Sequence, residues 1–309
     1  MSNYTCEKCG KEYKQKGHYT SHVNKNACSK TKTKDVREEG LDKFYTIQSC
    51  SKKCIDKVFE LYDKSSFDLI VEPSAGNGSF FNQLECTHKI GIDISPEDTN
   101  ITKMDFFDYT PEPNKNILVI GNPPFGKVSS MAIKFFNHSE WANVIAFIIP
   151  RTFRRPSVQN KLNKQFHLIY DEDVSTTPCC FTPKMSVKCC FQIWIKKDME
   201  RPFIDLPTKH KDWEFLPFGP LDKHGQPTPP DSADFAMRAY GGKIGEIEKK
   251  LGELRPKSWH WIKSNINMDE LINRFNQLDY SDSLNTARQN SMGRGELVRL
   301  YSDFVNSEI

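Results

Sequence analysis

The sequence predicts a doubly wound α/β domain, preceded by a small N-terminal module and followed by a small α+β region. Three observations carry this prediction. Short apolar runs at Phe67 to Val71, Lys89 to Ile94, Ile117 to Ile120 and Val144 to Ile149 read as buried parallel strands with helix and loop between them. Two of these runs release the chain into glycine-bearing loops, Glu72 to Gly78 and Gly121 to Gly126, at the sheet end where α/β domains bind ligands. A chain of 309 residues is long enough to bury such a core and still carry appended modules.

Composition narrows the setting. The formal charge of +3, from 43 basic and 40 acidic side chains, gives no global field that would argue for nucleic acid, so local clustering must decide. Ten cysteines, with neither a secretory leader nor an apolar run of membrane length, point to an intracellular, reducing compartment, cytoplasm or nucleus. The thiols are then expected as metal ligands or buried apolar groups, not disulfides.

Residues 1–30 hold Cys6-x-x-Cys9, then His22 after twelve residues and Cys28 after five more. The first pair forms a knuckle on a turn, and the second pair arrives on a helix. Together they close a tetrahedral S3N site for structural zinc. The pattern resembles a zinc finger with Cys as its last ligand, and Tyr13 and Tyr19 stand where that family keeps its core hydrophobes. His18 is a rival to His22, but its spacing from Cys9 is too short. So short a module needs metal to fold, which weighs against free thiols on a disordered leader. Residues 1–34 contain eight lysines against Glu7 and Glu12 alone, and residues 31–43 read as a charged linker. A basic finger points to nucleic acid, although one finger covers only about three base pairs and a protein-binding finger stays open.

The main domain spans 44–200. Apolar residues Cys54, Ile55, Val58, Phe59 and Tyr62 recur at helical spacing, predicting a helix from Ile47 to Tyr62. Gly76 and Gly78 let the loop after the first strand bend and approach a ligand, with a helix predicted to begin there. Asp93 ends the second strand 17 residues after Gly76, close to the separation at which a carboxylate takes ribose hydroxyls in dinucleotide folds. Asp105 follows ahead of the next strand. In Gly121-Asn122-Pro123-Pro124-Phe125-Gly126, the two prolines remove two donors and leave the carbonyl before them as a free acceptor, beside one carboxamide and one aromatic face. That set suits a planar heterocycle with an exocyclic amine, which needs two acceptors and a stacking partner.

With these motifs in place, residues 44 to about 200 resemble the S-adenosylmethionine-dependent methyltransferases that modify the exocyclic amine of adenine, with the cofactor motifs ahead of the catalytic one. The resemblance implies a Rossmann-like class I methyltransferase sheet. It implies that Tyr45 and Thr46 help hold the methionine portion of the cofactor and that the loop Glu72, Ser74, Gly76, Gly78 cradles it. Asp93 would take the ribose hydroxyls with Ile94 against the cofactor adenine, and Asp105 would accept from that adenine with Phe106 beside it. Asn122, Pro123, Pro124 and Phe125 would form the catalytic motif. The loop departs from many relatives in carrying Glu72 where they have Asp; the charge is kept.

Beyond the motif, Arg151, Arg154 and Arg155 crowd a strand-end loop where a phosphate backbone would pass. The pairs Cys179-Cys180 and Cys189-Cys190 look like ligands, but adjacent residues on a strand point to opposite faces, so core is favoured over zinc. Residues 201–232 hold seven of the 18 prolines and read as an irregular connection. Residues 233–309 predict strands at Ala233 to Tyr240 and Trp259 to Lys263, then helices at Met268 to Leu278 and about Glu296 to Val305. Arg238, Trp259, Trp261, Lys263, Arg288 and Arg294 either meet nucleic acid or, for the tryptophans, form the region's core; the sequence leaves both open.

The function expected is methyl transfer to adenine in DNA or RNA. Two alternatives stand: methylation of a protein glutamine amide, which relatives with Asn-Pro-Pro-Tyr perform and Phe125 argues against, and a catalytically dead zinc-finger binding protein. No membrane partner is expected, and the chain is expected to act as a monomer. It also bears a vague resemblance to methyltransferases of large DNA viruses and their microbial hosts, so a host cytoplasm is a further expected location.

Overall fold

A computed structural model describes residues 4–6, 12–13, 15–24 and 44–307. The chain divides into two compact units, Met1–Lys43 and Phe44–Ile309. In the first, β1 (Tyr4–Thr5) pairs antiparallel with β2 (Glu12–Tyr13), and α1 (Lys16–Asn24) follows. Tyr19 on α1 lies against Tyr4 and Tyr13, and Cys6 is buried. Cys9 and Cys28 lie outside the described residues, and of His22 only the backbone, within α1, is described. Among the described residues no group of three or more His, Cys, Asp or Glu is placed to hold a metal, and no helix is long and apolar enough to cross a membrane.

The second unit is built on a seven-stranded sheet. In chain order its elements are β3 (Tyr45–Thr46), α2 (Gln48–Leu61), β4 (Leu69–Pro73), β5 (Lys89–Asp93), β6 (Thr102–Lys103) and β7 (Ile117–Gly121). Then come α3 (Ser130–His138), β8 (Val144–Pro150), α4 (Pro156–Gln159), β9 (Phe166–Asp173), β10 (Phe181–Thr182) and β11 (Cys189–Lys196). The sheet order is β6-β5-β4-β7-β8-β11-β9. The first five strands run parallel, and β11 is antiparallel to both β8 and β9. A parallel sheet reversed by one late strand inserted beside the fifth is the Rossmann-like class I methyltransferase architecture that the sequence predicts.

Strand periodicity divides the core in two. Ile70, Leu118, Ile120, Ala146, Ile148 and Ile193 pack with Cys54, Ile55 and Val58 of α2, while Val71, Val119, Ile145, Phe147 and Ile149 pack with Phe135 and Phe136 of α3. Both faces are covered, so these strands read as continuous apolar runs rather than alternating ones. The same covering explains the cysteine pair on β11: Cys189 joins the α2 face, Cys190 the α3 face, and both are buried.

One expectation is corrected. No α-helix follows the Gly76 loop; β4 connects to β5 through a single 3-10 turn at Phe81–Gln83. Too little chain separates Gly78 from Lys89 for a helix and a return loop. Lys89 completes the turn by donating its ammonium to the carbonyls of Phe81 and Leu84, each at 2.8 Å.

The C-terminal region forms a second sheet. Its strands are β12 (Trp213–Phe215), β13 (Phe235–Arg238), β14 (Ile247–Glu248) and β15 (Trp259–Ser264), in the antiparallel order β12-β15-β13-β14, followed by α5 (Met268–Gln277) and α6 (Arg294–Ser307). Strand β12 lies inside the stretch read as wholly irregular; three residues carry too few apolar alternations to register as a strand. Trp213, Trp259 and Trp261 are all core, which decides between the two readings of the tryptophans. Arg238 is likewise committed: its guanidinium lies over the Trp259 ring and binds Glu246 at 2.6 Å.

His260 on β15 donates from Nε2 to the Met292 carbonyl at 2.8 Å, joining the sheet to the segment that enters α6. Burial lowers this ring from its ordinary 6.5 to about 4. The unfolded ring takes its proton near 6.5 and the folded one only near 4, so the folded state loses stability as pH falls through that window. The thermal midpoint of the wild type should therefore fall more steeply between those two values than that of His260→Gln, measured by circular dichroism across a pH series.

Candidate active site

The C-terminal ends of β4, β5 and β7 bring the two glycine-bearing loops together. Glu72 is buried at the end of β4, where its Oε2 accepts from the Phe81 amide at 2.6 Å. Burial pushes its carboxyl well above the usual carboxylate range, opposed by the Phe81 and Phe80 amides. Glu72 thus holds the turn that closes the loop. Gly121 makes room for it, since a Cβ there would lie 3.2 Å from Glu72 Cγ.

Between them the loop passes through left-handed backbone at Ser74 (φ 56°), Gly76 (φ 53°) and Gly78 (φ 78°). Asp93, half-buried at the end of β5, grips this loop: Oδ2 accepts from the Gly76 amide at 2.8 Å and Oδ1 from the Ser95 amide at 2.7 Å. Each oxygen keeps a further lone pair. Ile94 is exposed and neighbours exposed Met104, whose amide donates to the Asp93 carbonyl at 2.9 Å. Asp105 is exposed and caps the next turn through the Phe107 amide at 3.0 Å. Phe106 is placed elsewhere: it is core, stacked on Phe135 and edge-on to His138, whereas the next ring, Phe107, is exposed.

Tyr45 and Thr46 reach the same loop from β3, which pairs with β10 through Phe181↔Thr46 and Thr182↔Tyr45. The Tyr45 hydroxyl donates to Glu97, and burial together with that carboxylate pushes the phenol up. The ring packs over Gly76. Thr46 is 4% exposed, and its hydroxyl has no hydrogen-bond partner among the described residues. A cavity of about 520 Å³ opens here, lined by Thr46, Gln48, Ser49, Asn77, Gly78 and Thr182 among others. Helix α2 begins at its wall, and its N-cap Ile47 supplies no side-chain acceptor, so the Gln48 and Ser49 amides have no cap, while those of Cys50 and Ser51 donate to the Ile47 carbonyl. Gln48, Ser49 and Thr182 carry no sequence signal. Thr182 joins the site only because β10 returns to pair with a strand more than a hundred residues earlier.

Asn122 follows β7. Its Nδ2 donates to the Phe44 carbonyl at 3.3 Å, and its Oδ1 is buried with no donor among the described residues. No described donor reaches the Pro123 carbonyl either. Pro123 is buried, Pro124 and Phe125 half-buried, and Phe125 packs against both core faces. The loop then runs through Gly126 (φ 67°), Val128 (φ 54°) and Ser129 (φ 60°). A β-branched residue rarely adopts that conformation, so this turn is strained; a hydrogen bond between the Ser129 and Thr152 hydroxyls at 2.8 Å ties it to the loop after β8.

The arginines expected at a phosphate rim are mostly paired. Arg151 meets Asp173 at 2.7 Å, Arg154 binds Asp171 through Nε at 3.0 Å and Asp173 at 2.9 Å, and Arg155 is clamped by Glu296 of α6. The carboxylates come from β9 and α6, which no local pattern around the arginines reveals.

Among solved structures, the 23S rRNA methyltransferase ErmE is similar at 14% identity and TM-score 0.36, over 48% of this chain and 69% of that one. A dimethyladenosine transferase from Plasmodium falciparum is similar at 18% identity and TM-score 0.35, over 47% of this chain and 62% of that one. The magnesium protoporphyrin IX methyltransferase from Synechocystis PCC 6803 gives 10% and 0.35, over 48% and 79%. No protein-family model and no curated protein matches the chain. The fold assignment rests on the strand order above, not on these scores.

The Gly76 position offers a direct check on the loop. Alanine there must adopt φ 53° and place Cβ 2.9 Å from Tyr45 Cε1. Gly76→Ala should lower stability by about 1 to 3 kcal/mol in denaturant titration.

Proposed function

We propose that this protein transfers a methyl group from S-adenosylmethionine to the exocyclic amine of adenine in nucleic acid, DNA or RNA. The observation that carries the reading is the buried, donorless Oδ1 of Asn122 beside the Pro123 carbonyl, which no described donor reaches: two acceptors, spaced along one loop, with an aromatic face next to them. Leaving a buried acceptor unsatisfied costs about 1 to 3 kcal/mol, and an amine with two N–H groups would relieve it.

The residues present fit the cofactor. The unpartnered Thr46 hydroxyl and the open start of α2 suit its carboxylate. Asp93 keeps lone pairs for ribose hydroxyls, with Ile94 and Met104 as apolar neighbours for its base. When bound, the cofactor supplies a methyl already activated on a positively charged sulfur, so the chain's own task is alignment. An adenine amine is a poor nucleophile because its lone pair is delocalised into the ring. Accepting both hydrogens at Asn122 Oδ1 and the Pro123 carbonyl would turn that lone pair toward the methyl, while Phe125 stacks on the base. A paired target must first leave the helix, at a cost of a few kcal/mol that a single strand largely avoids.

We also propose that Cys6, Cys9, His22 and Cys28 hold one structural zinc. A β-hairpin followed by a helix, with Cys6 buried directly after β1, supports this arrangement.

With labelled methyl donor, purified protein should label adenine-containing DNA or RNA. Asn122→Ala should lower turnover about a hundredfold or more while cofactor affinity by calorimetry changes little; equal losses of both would remove Asn122 from the reacting centre. Metal analysis should find about one zinc per chain, lost on Cys9→Ser.

A further inference from the structure

At the C-terminal end of β8 the C-terminal region meets the sheet at Lys188. Lys188 immediately precedes β11, and its carbonyl accepts from the Arg151 amide at 3.0 Å, so it stands at the C-terminal end of β8. Its own amide donates to the Ala287 carbonyl at 2.8 Å, and its ammonium to Asn290 Oδ1 at 2.6 Å. The segment between α5 and α6 thus grips this lysine from outside, and Arg155 anchors the same segment through Ser291 Oγ at 3.0 Å.

The charges do not balance at this point. Asn290 is neutral, and among the described residues no carboxylate pairs with Lys188. Arg151 is near enough that its charge, together with burial as the larger cause, lowers the Lys188 ammonium from its ordinary value. Asp173 is shared by Arg151 and Arg154, and the Nε of Arg151 is buried without an acceptor. Arg288, directly after the Ala287 contact, is exposed and has no ion-pair partner among the described residues. Three cations here, Arg151, Arg154 and Lys188, face two carboxylates, Asp171 and Asp173, and Arg288 follows on the segment that holds Lys188. Such an excess beside a ligand loop attracts an anion.

Its position selects the anion. Gly121 pairs with Phe147, and Cys189 with Pro150, so Lys188 is two strands from β7, about 10 Å across the sheet, and about four residues farther toward the C-terminal end of β8 than Gly121, the direction in which the Asn122 loop leaves β7. A nucleotide spans that separation from base to phosphate. We propose that Lys188 binds the backbone phosphate adjoining the target base, and that Arg288 meets the next phosphate along the strand. The C-terminal region then acts in substrate binding by presenting Ala287 and Asn290 to hold Lys188 in place. This rests on the nucleic-acid reading above and gives the substrate's backbone its contact.

The test uses the full chain and fluorescein-labelled, single-stranded, adenine-containing DNA and RNA oligonucleotides, followed by anisotropy across a salt series. Lys188→Gln should weaken binding about tenfold, the effect of one charged contact, and reduce the slope of log K against log salt by about 0.7. Lys188→Arg should restore most of both. Arg288→Gln should give a smaller loss of the same kind, and Lys134→Gln, an exposed charge on α3, should change neither quantity. Cofactor affinity of Lys188→Gln by calorimetry should match the wild type. Unaltered affinity and slope in Lys188→Gln, or an equal loss in Lys134→Gln, overturns the proposal while leaving the functional reading intact. A wild type that binds neither oligonucleotide overturns both.

Discussion

The geometry of the site depends on a buried carboxyl group. Glu72 is buried where β4 and β7 lie side by side, and its short bond to the Phe81 amide folds the loop after β4 back on itself. A carboxyl buried there requires a small neighbour, which Gly121 provides. With Glu72 in place, Gly76 is presented to Asp93, Tyr45 closes over the glycine, and Asn122 begins its loop from the adjoining strand. Replacing burial of an apolar side chain with burial of a carboxyl costs free energy unless its oxygens are bonded, so loop geometry and carboxyl burial are coupled.

The sheet edge beyond β5 is thinly covered. The connections after β4 and around β6 contain only 3-10 turns, leaving Ile94, Met104 and Phe107 exposed about the ends of β5 and β6. The opposite side is heavily braced. Ion pairs join the loop after β8 to β9 and to α6, and backbone bonds join Lys188 to the segment before α6. One side of the site is thus open and partly apolar, the other rigid and cationic.

Much of the sheet was legible because both its faces are covered: β7 and β8 are apolar throughout, β4 is apolar but for Glu72, and all three end on glycine or proline. Spacing and residue chemistry singled out Gly76, Asp93 and Asn122 as candidates, and the structure joins the first two through the bond from the Gly76 amide to Asp93. Phe106 was not, because two consecutive aromatics, Phe106 and Phe107, look alike in sequence and only packing decides which one joins Phe135. The missing helix after Gly78 shows a similar limit, since the glycine loop foretells a turn while the length of chain before β5 decides whether a helix fits.

The sequence by itself determined the architecture and the acceptor motif, because strand periodicity, glycine backbone freedom and proline's missing donors are local properties of the chain. Only the tertiary structure decided what the charged side chains do. Arg151, Arg154 and Arg155 read as free cations until Asp171, Asp173 and Glu296 arrive from distant elements, while Lys188, with no such signal, is left beside Asn290. Thr46 gains its place from a strand pairing closed by Phe181. Such pairings join residues far apart in the chain, and a short sequence window contains only one of the two partners.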